Sequence, residues 1–269
     1  MASLSRRDFL AMAVAGRLSG PEWQRYSDPA TDLEVIRLTD PSFASGMTAS
    51  HLRQFTRHGE SLLYWSERYA TSAPAARQAF LLDLKNGGSS QLTEAAALDP
   101  ASLSLSPDDR SFFFFDGLSL KNGQLANNQI REIHAVPEDA VRTGFSIGAD
   151  GSAIFSERRN GRSRIVSVLR QQTRRIVEID REIEELMVRP RRTQVLYRAG
   201  GGLWLVNHDG SGNRQLKTEP GSIGAALWIP SGRTFIYLHI PEDPKELVTL
   251  REHAPDEGTD TLLAKTSQF

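Results

Sequence analysis

The stretch Pro107-Asp108-Asp109, closely followed by Phe112-Phe113-Phe114-Phe115, joins a tight turn to a run of aromatic residues. This combination occurs five times. The turns are Arg57-His58-Gly59, Pro107-Asp108-Asp109, Ala149-Asp150-Gly151, Pro190-Arg191-Arg192 and Pro230-Ser231-Gly232, with 50, 42, 41 and 40 residues between successive central positions. Turn residues reverse the chain, and an apolar run after each turn favours a buried inner strand. A period in the low forties is typical of a four-stranded propeller blade, so the sequence predicts an all-β propeller.

The apolar runs after the turns predict the core. They cover residues 62–65, 112–115, 153–155, 195–197 and 234–237. We expect burial between blades of Phe113, Phe115, Phe155, Leu196, Tyr197 and Ile236. Residues 23–40 predict a strand pair before the first full blade, and residues 180–186 fit either a helical turn or a strand. A sixth turn would fall at about residue 272. About five to six blades are therefore expected within residues 21–269, as part of a longer ring or as a five-bladed ring with a tail.

Composition excludes several classes of function. The 269 residues carry a net charge of −1, which gives no overall electrostatic attraction to nucleic acid or an anionic membrane. There are no cysteines, so disulfides, thiolate zinc sites and thiol catalysis are excluded. We expect no membrane span, because no run of about 20 apolar residues occurs.

The N-terminus suggests export. Paired arginines, Arg6 and Arg7, are followed by Phe9 and by a short apolar segment that ends before Arg17. Residues 1–20 therefore resemble a twin-arginine signal and predict a periplasmic or secreted protein. A basic tail on a cytoplasmic protein is the alternative.

Longer segments of the sequence resemble two groups of known propellers. The hairpin at residues 203–216, with Asn207-His208-Asp209-Gly210-Ser211 at its turn, resembles a blade of the periplasmic Tol-system propeller. More of the chain resembles the oligogalacturonate lyases, whose features are matched in order by residues 23–40, 79–84, 91–93, 136–139, 188–190 and 227–232. This second resemblance implies a seven-bladed propeller, present here in part, that acts on acidic oligosaccharides in pectin catabolism.

The resemblance also implies a chemistry. These lyases split unsaturated digalacturonate by β-elimination, and a manganese ion held by histidines and a glutamine neutralises the C6 carboxylate. A basic side chain then removes the acidified C5 proton. In this chain the position of one family histidine is occupied by Ala225, which offers no donor atom. Gln268 is the remaining candidate metal ligand near the C-terminus, with a surface glutamine as the alternative.

Arg189 is the candidate catalytic residue that the resemblance supplies. Its guanidinium could bind a uronate carboxylate bidentately, or Arg189 could be an ordinary arginine before a turn. Basic clusters that would also suit an acidic sugar are formed by Arg158, Arg159, Arg162 and Arg164 and by Arg189, Arg191 and Arg192. They fit solvated blade edges equally well.

The six histidines do not show the short spacing that places two metal ligands on one strand face. They are His51, His58, His134, His208, His239 and His253. Two functions of different classes therefore remain open: an oligogalacturonate lyase-like enzyme of pectin catabolism with an altered metal site, and a non-catalytic exported propeller that serves as a binding or scaffold module.

Overall fold

The computed structural model describes residues 23–68 and 76–266, and all regular structure in this part of the chain is β. A two-stranded sheet, β1 (Gln24–Ser27) with β2 (Glu34–Arg37), comes first. Five four-stranded antiparallel sheets follow in chain order. The predicted initial strand pair and the propeller blades are confirmed. No helix in the described residues is long and apolar enough to cross a membrane.

The chain divides into two compact units. The first comprises residues up to 49, 53–117 and 121–131, and the second comprises 50–52, 118–120 and 132 onward. The first sheet contains β3 (Ser45–Gly46), β4 (Ser61–Ser66), β5 (Gln78–Asp83) and β6 (Ser89–Gln91). The second sheet contains β7 (Leu98–Leu105), β8 (Ser111–Asp116), β9 (Ser119–Gln124) and β10 (Ile130–Ala135), and the division passes through its last two strands.

The remaining three sheets lie in the second unit. The third sheet contains β11 (Val141–Ile147), β12 (Ala153–Arg159), β13 (Arg162–Leu169) and β14 (Gln172–Ile179). The fourth contains β15 (Ile183–Val188), β16 (Gln194–Ala199), β17 (Gly202–Asn207) and β18 (Arg214–Gln215). The fifth contains β19 (Ser222–Trp228), β20 (Phe235–Ile240), β21 (Val248–Ala254) and β22 (Thr259–Thr266). The ambiguous segment 180–186 therefore leads into a strand.

The recurring turn has one hydrogen-bond pattern throughout. The residue before each turn accepts a backbone hydrogen bond from the residue three positions later, as in Gly59 N–H to Thr56 O and Gly232 N–H to Ile229 O, both 2.9 Å. Gly232 has a φ of 68°, and a Cβ there would lie 2.1 Å from Pro190 O. The turn therefore requires glycine at this position, both for its backbone conformation and for the close approach.

Each aromatic-rich run forms the second strand of its sheet and is hydrogen-bonded on both sides. One core cluster links the first two sheets around Leu63, Leu103 and Phe114, and another links the fourth and fifth around Leu196 and Phe235. Five of the six residues predicted to be buried are buried: Phe113, Phe115, Phe155, Leu196 and Tyr197.

The prediction that Ile236 is buried is wrong, because the residues on either side of it face the core instead. Ile236 is half-buried, whereas its neighbours Phe235 and Tyr237 are 0% and 1% exposed. Because successive side chains of a strand point to opposite faces, a shift of one residue exchanges the buried and outer positions.

This register gives a stability prediction. Ile154 holds the same place in β12 as Ile236 in β20, but Ile154 is fully buried. We expect Ile154→Ala to lower the free energy of unfolding by about 3 kcal/mol and Ile236→Ala by about 1 kcal/mol, because only the first leaves a closed cavity. Urea unfolding of both variants measures the difference, and equal losses would contradict the register.

Candidate functional site

Arg189, the predicted catalytic residue, directly follows β15 and is only 1% exposed. Its Nε donates to Gly232 O at 2.7 Å, and its Nη1 donates to Gln194 Oε1 at 2.7 Å. Its Nη1 and Nη2 also donate to the two carboxylate oxygens of Asp256, at 2.7 and 2.6 Å. The guanidinium carbon lies 5.1 Å from the ring centre of Trp228. Arg189 thus joins the fourth and fifth sheets as a buried cation.

Asp256 is the carboxylate partner of this arginine and lies in the turn between β21 and β22. Its side chain is 56% exposed, in contrast to that of Arg189. Hydrogen bonds from Arg189 hold the pKa of Asp256 below its ordinary value, and the positive charges of Arg192 and Arg214 act in the same direction. The bidentate position that a uronate carboxylate would take on Arg189 is therefore filled by Asp256. A catalytic role for Arg189 stays a prediction.

Ala225, at the position where the resemblance implies a metal ligand, lies on the exposed side of β19. The strand has a bulge between Ile223 and Ala226, so Ala225 belongs to the irregular stretch. Bulges often re-aim a side chain beside a functional site, but a methyl group has no atom to offer a metal. Ala225 therefore provides no metal ligand at this bulge.

Arg198, on β16, bonds to the backbone of the residues that directly precede Ala225. Its Nη1 donates to Ile223 O at 2.6 Å and to Gly224 O at 3.2 Å, and its Nε lies 3.2 Å from a carboxylate oxygen of Glu184. Sequence reasoning missed Arg198, because an arginine after an apolar run has no distinguishing pattern.

Two histidines of the second unit, His51 and His134, lie within hydrogen-bond distance of residues in the third sheet. His51 Nε2 is 2.8 Å from Phe145 O, and His134 Nδ1 is 3.1 Å from Thr173 Oγ1. Burial lowers the pKa of both His134 and His208. His58 belongs to the first unit and is exposed in its turn.

The two histidines of the fifth sheet are buried and have polar partners. His239 lies between Thr249 Oγ1 at 3.2 Å and Pro220 O at 2.8 Å. His253 Nδ1 is 3.3 Å from an oxygen of Asp260, which also accepts a 2.6 Å hydrogen bond from Tyr237. Burial and the proximity of Asp260 raise the pKa of Tyr237. Tyr237, His253 and Asp260 therefore form one polar cluster. His239 has separate partners.

The His, Asp and Glu side chains of the described residues do not form a manganese site by themselves. Nowhere in 23–68 and 76–266 do three His, Asp or Glu side chains come together as a metal-binding group. Gln268 lies outside the described residues. Within the described residues, a manganese ion would therefore find no group of three His, Asp or Glu ligands.

The basic cluster predicted on the third sheet is already paired with carboxylates. Arg159 lies 2.6 Å from Asp139, Arg162 lies 3.0 Å from Glu178, and Arg158 pairs with Glu182. Arg164 lies 2.5 Å from Glu157, whose side chain is buried. These arginines are blade-edge ion pairs. Arg191 and Arg192, by contrast, are exposed beside the Arg189 turn.

Comparison with known proteins supplies the family. The family model described as oligogalacturonate lyase matches residues 12–155, more than half of the chain. An oligogalacturonate lyase from Dickeya dadantii is 26% identical over 84% of this chain and 66% of its own length. An oligogalacturonide lyase from Pectobacterium atrosepticum is 24% identical over 81% of this chain and 64% of its own length.

A solved structure, an oligogalacturonate lyase in complex with manganese, superimposes with a TM-score of 0.81 at 21% identity. The match covers 93% of this chain and 74% of that one. At this identity the likeness concerns the propeller fold, which agrees with the blades described above. The chain spans a little under two thirds of the two lyases matched by sequence. From the family model, this chain belongs to the oligogalacturonate lyase family.

Proposed function

We propose that this protein is an oligogalacturonate lyase-like protein that takes pectin-derived oligogalacturonides as its ligands in pectin catabolism. The family match over residues 12–155 is the observation that supports it most. The propeller frame and the exposed Arg191 and Arg192, which suit an acidic sugar, are consistent with it.

Cleavage of such a sugar by β-elimination would need two groups in the site. A base must remove the C5 proton, and a positive group must neutralise the adjacent carboxylate as negative charge develops. In the described residues, Ala225 provides no ligand, and the guanidinium of Arg189 is already bonded to Asp256. We therefore propose that these residues support recognition of the acidic sugar without metal-assisted elimination.

A second candidate is a non-catalytic exported binding or scaffold module. The methyl group at Ala225, where the resemblance implies a metal ligand, favours it. Export rests on the twin-arginine-like pattern at Arg6 and Arg7, which lies outside the described residues. The two candidates differ in the ligand: the first takes a pectin-derived acidic sugar, whereas the second is an exported binding or scaffold module whose ligand is not specified.

Binding is the direct test of the proposed ligand class. We expect trigalacturonate to bind the 269-residue chain at least about tenfold more tightly than fully methyl-esterified trigalacturonate, because carboxylate–arginine pairing contributes about 1.4 kcal/mol or more. Isothermal titration calorimetry at constant ionic strength measures both affinities. Equal affinities, or no heat with either sugar, would contradict the proposed ligand class.

A further inference from the structure

The carboxylate of Asp256 lies in an arginine-rich surface site. Arg189 binds it through two nitrogens, and the charges of Arg192 and Arg214 act on it as well. Arg214 also donates to Pro255 O at 3.0 Å, which ties the β21–β22 turn to this site. Arg189 therefore binds this carboxylate directly, and the charges of Arg192 and Arg214 add to its stabilisation.

Arg189 is arranged to receive a carboxylate. Gly232 O accepts from Nε and Gln194 Oε1 accepts from Nη1, which fixes the guanidinium from two sides, and Trp228 lies against its face. The Nη1 and Nη2 edge then points to the carboxylate, in the bidentate geometry that makes Arg–carboxylate pairs strong and specific. Because the cation is held by the fold, no side-chain ordering is needed when an anion binds.

The place of the carboxylate is accessible from solvent. The side chain of Asp256 is 56% exposed while that of Arg189 is 1% exposed. Removing the Asp256 side chain would therefore expose the fixed edge of a buried cation to solvent. A buried cation without a partner is unfavourable, so an anion of the right shape is expected to bind there.

We propose that Arg189, Arg192 and Arg214 form a carboxylate-binding site in which Asp256 is the resident, intramolecular carboxylate. Asp256 competes with external carboxylates from a high effective concentration, so external binding is weak while Asp256 is in place. The external carboxylate that would compete with Asp256 is that of a uronate. Only this choice of ligand rests on the proposed function.

The test is chemical rescue of Asp256→Ala. We expect this variant to melt about 4–8 °C below the unmodified chain in sodium chloride. Replacing chloride by acetate at the same ionic strength should recover at least half of that loss, because acetate restores the bidentate partner. If Asp256→Ala does not fold in chloride, refolding yield in acetate against chloride is the readout. Absence of an acetate advantage in the measured readout overturns the proposal.

Two variants control for general salt effects. Asp256→Asn keeps the shape of the side chain and fills the site, so acetate should give it no advantage over chloride. Asp209→Ala removes an aspartate from the corresponding β17–β18 turn, where its carboxylate accepts hydrogen bonds from Ser211 at 2.9 and 2.6 Å. Acetate should not rescue this variant. Equal rescue of all three variants would overturn the proposal.

Galacturonate separates this inference from the proposed function. Rescue of Asp256→Ala by galacturonate at a lower concentration than acetate would support both. Rescue by acetate with none by galacturonate would keep the carboxylate site and remove the uronate as its competitor.

Discussion

Replacing Arg189 by methionine is expected to lower the free energy of unfolding by about 3–5 kcal/mol. Methionine fills much of the volume but cannot donate to Gly232 O or Gln194 Oε1, and it removes the cation beside Trp228. Asp256 contributes less to the loss, because its half-exposed carboxylate can be rehydrated. Urea unfolding followed by tryptophan fluorescence measures the change.

Two further variants test the cause of this loss. Arg189→Lys keeps the charge but loses the planar, fixed donors, so we expect it to recover less than half of the stability. Arg162→Met removes an arginine whose side chain is 71% exposed and pairs with Glu178, so it should cost no more than about 0.5 kcal/mol. If Arg189→Met were as mild as Arg162→Met, Arg189 would not be the structural cation described above.

The repeat is the part of the fold that sequence could predict. Turn residues such as Gly59 and Gly232 have strong local requirements, and their spacing gives the blades without reference to any partner. The β17–β18 turn shows these local requirements: Asp209 accepts from Ser211 N–H, and Gly210 has a φ of 87°. Asn207 instead bonds to the side chains of Ser211 and Gln194.

Register and long-range pairing were harder to predict. The run at residues 234–237 predicts a strand, yet it does not say which alternate residues face the core, and Ile236 was assigned to the wrong side. The carboxylate of Asp256 is 67 residues from Arg189 along the chain and sits in a turn without a distinctive motif. Only the packing of consecutive sheets brings the two together.

The sequence predicts the candidate site only through the resemblance to a family pattern. The missing donor at Ala225 could be recognised because neighbouring residues match the pattern. The contacts of Arg198 with the backbone at Ile223 and Gly224 depend on the β19 bulge, which no sequence period indicates. Sequence therefore locates the altered position, whereas the structure shows what surrounds it.

A second large effect is expected in catalysis. Manganese added to the 269-residue chain should produce no cleavage of unsaturated digalacturonate above the enzyme-free rate. Ala225 has no donor, and the described residues contain no group of three side chains suited to a metal. A metal that acidifies a proton must first be held by its ligands, so a site that lacks a ligand gives less of this assistance. Ala225→His supplies one donor and should not by itself restore cleavage.

The most direct measurement is the release of keto-sugar from unsaturated digalacturonate, with and without manganese. The Dickeya dadantii lyase serves as the positive control, and binding of trigalacturonate shows that the tested chain is folded and competent. We predict sugar binding with no manganese-dependent keto-sugar release by this chain or by Ala225→His. Robust manganese-dependent release by the unmodified 269-residue chain would contradict the proposal that this protein recognises the acidic sugar without metal-assisted elimination.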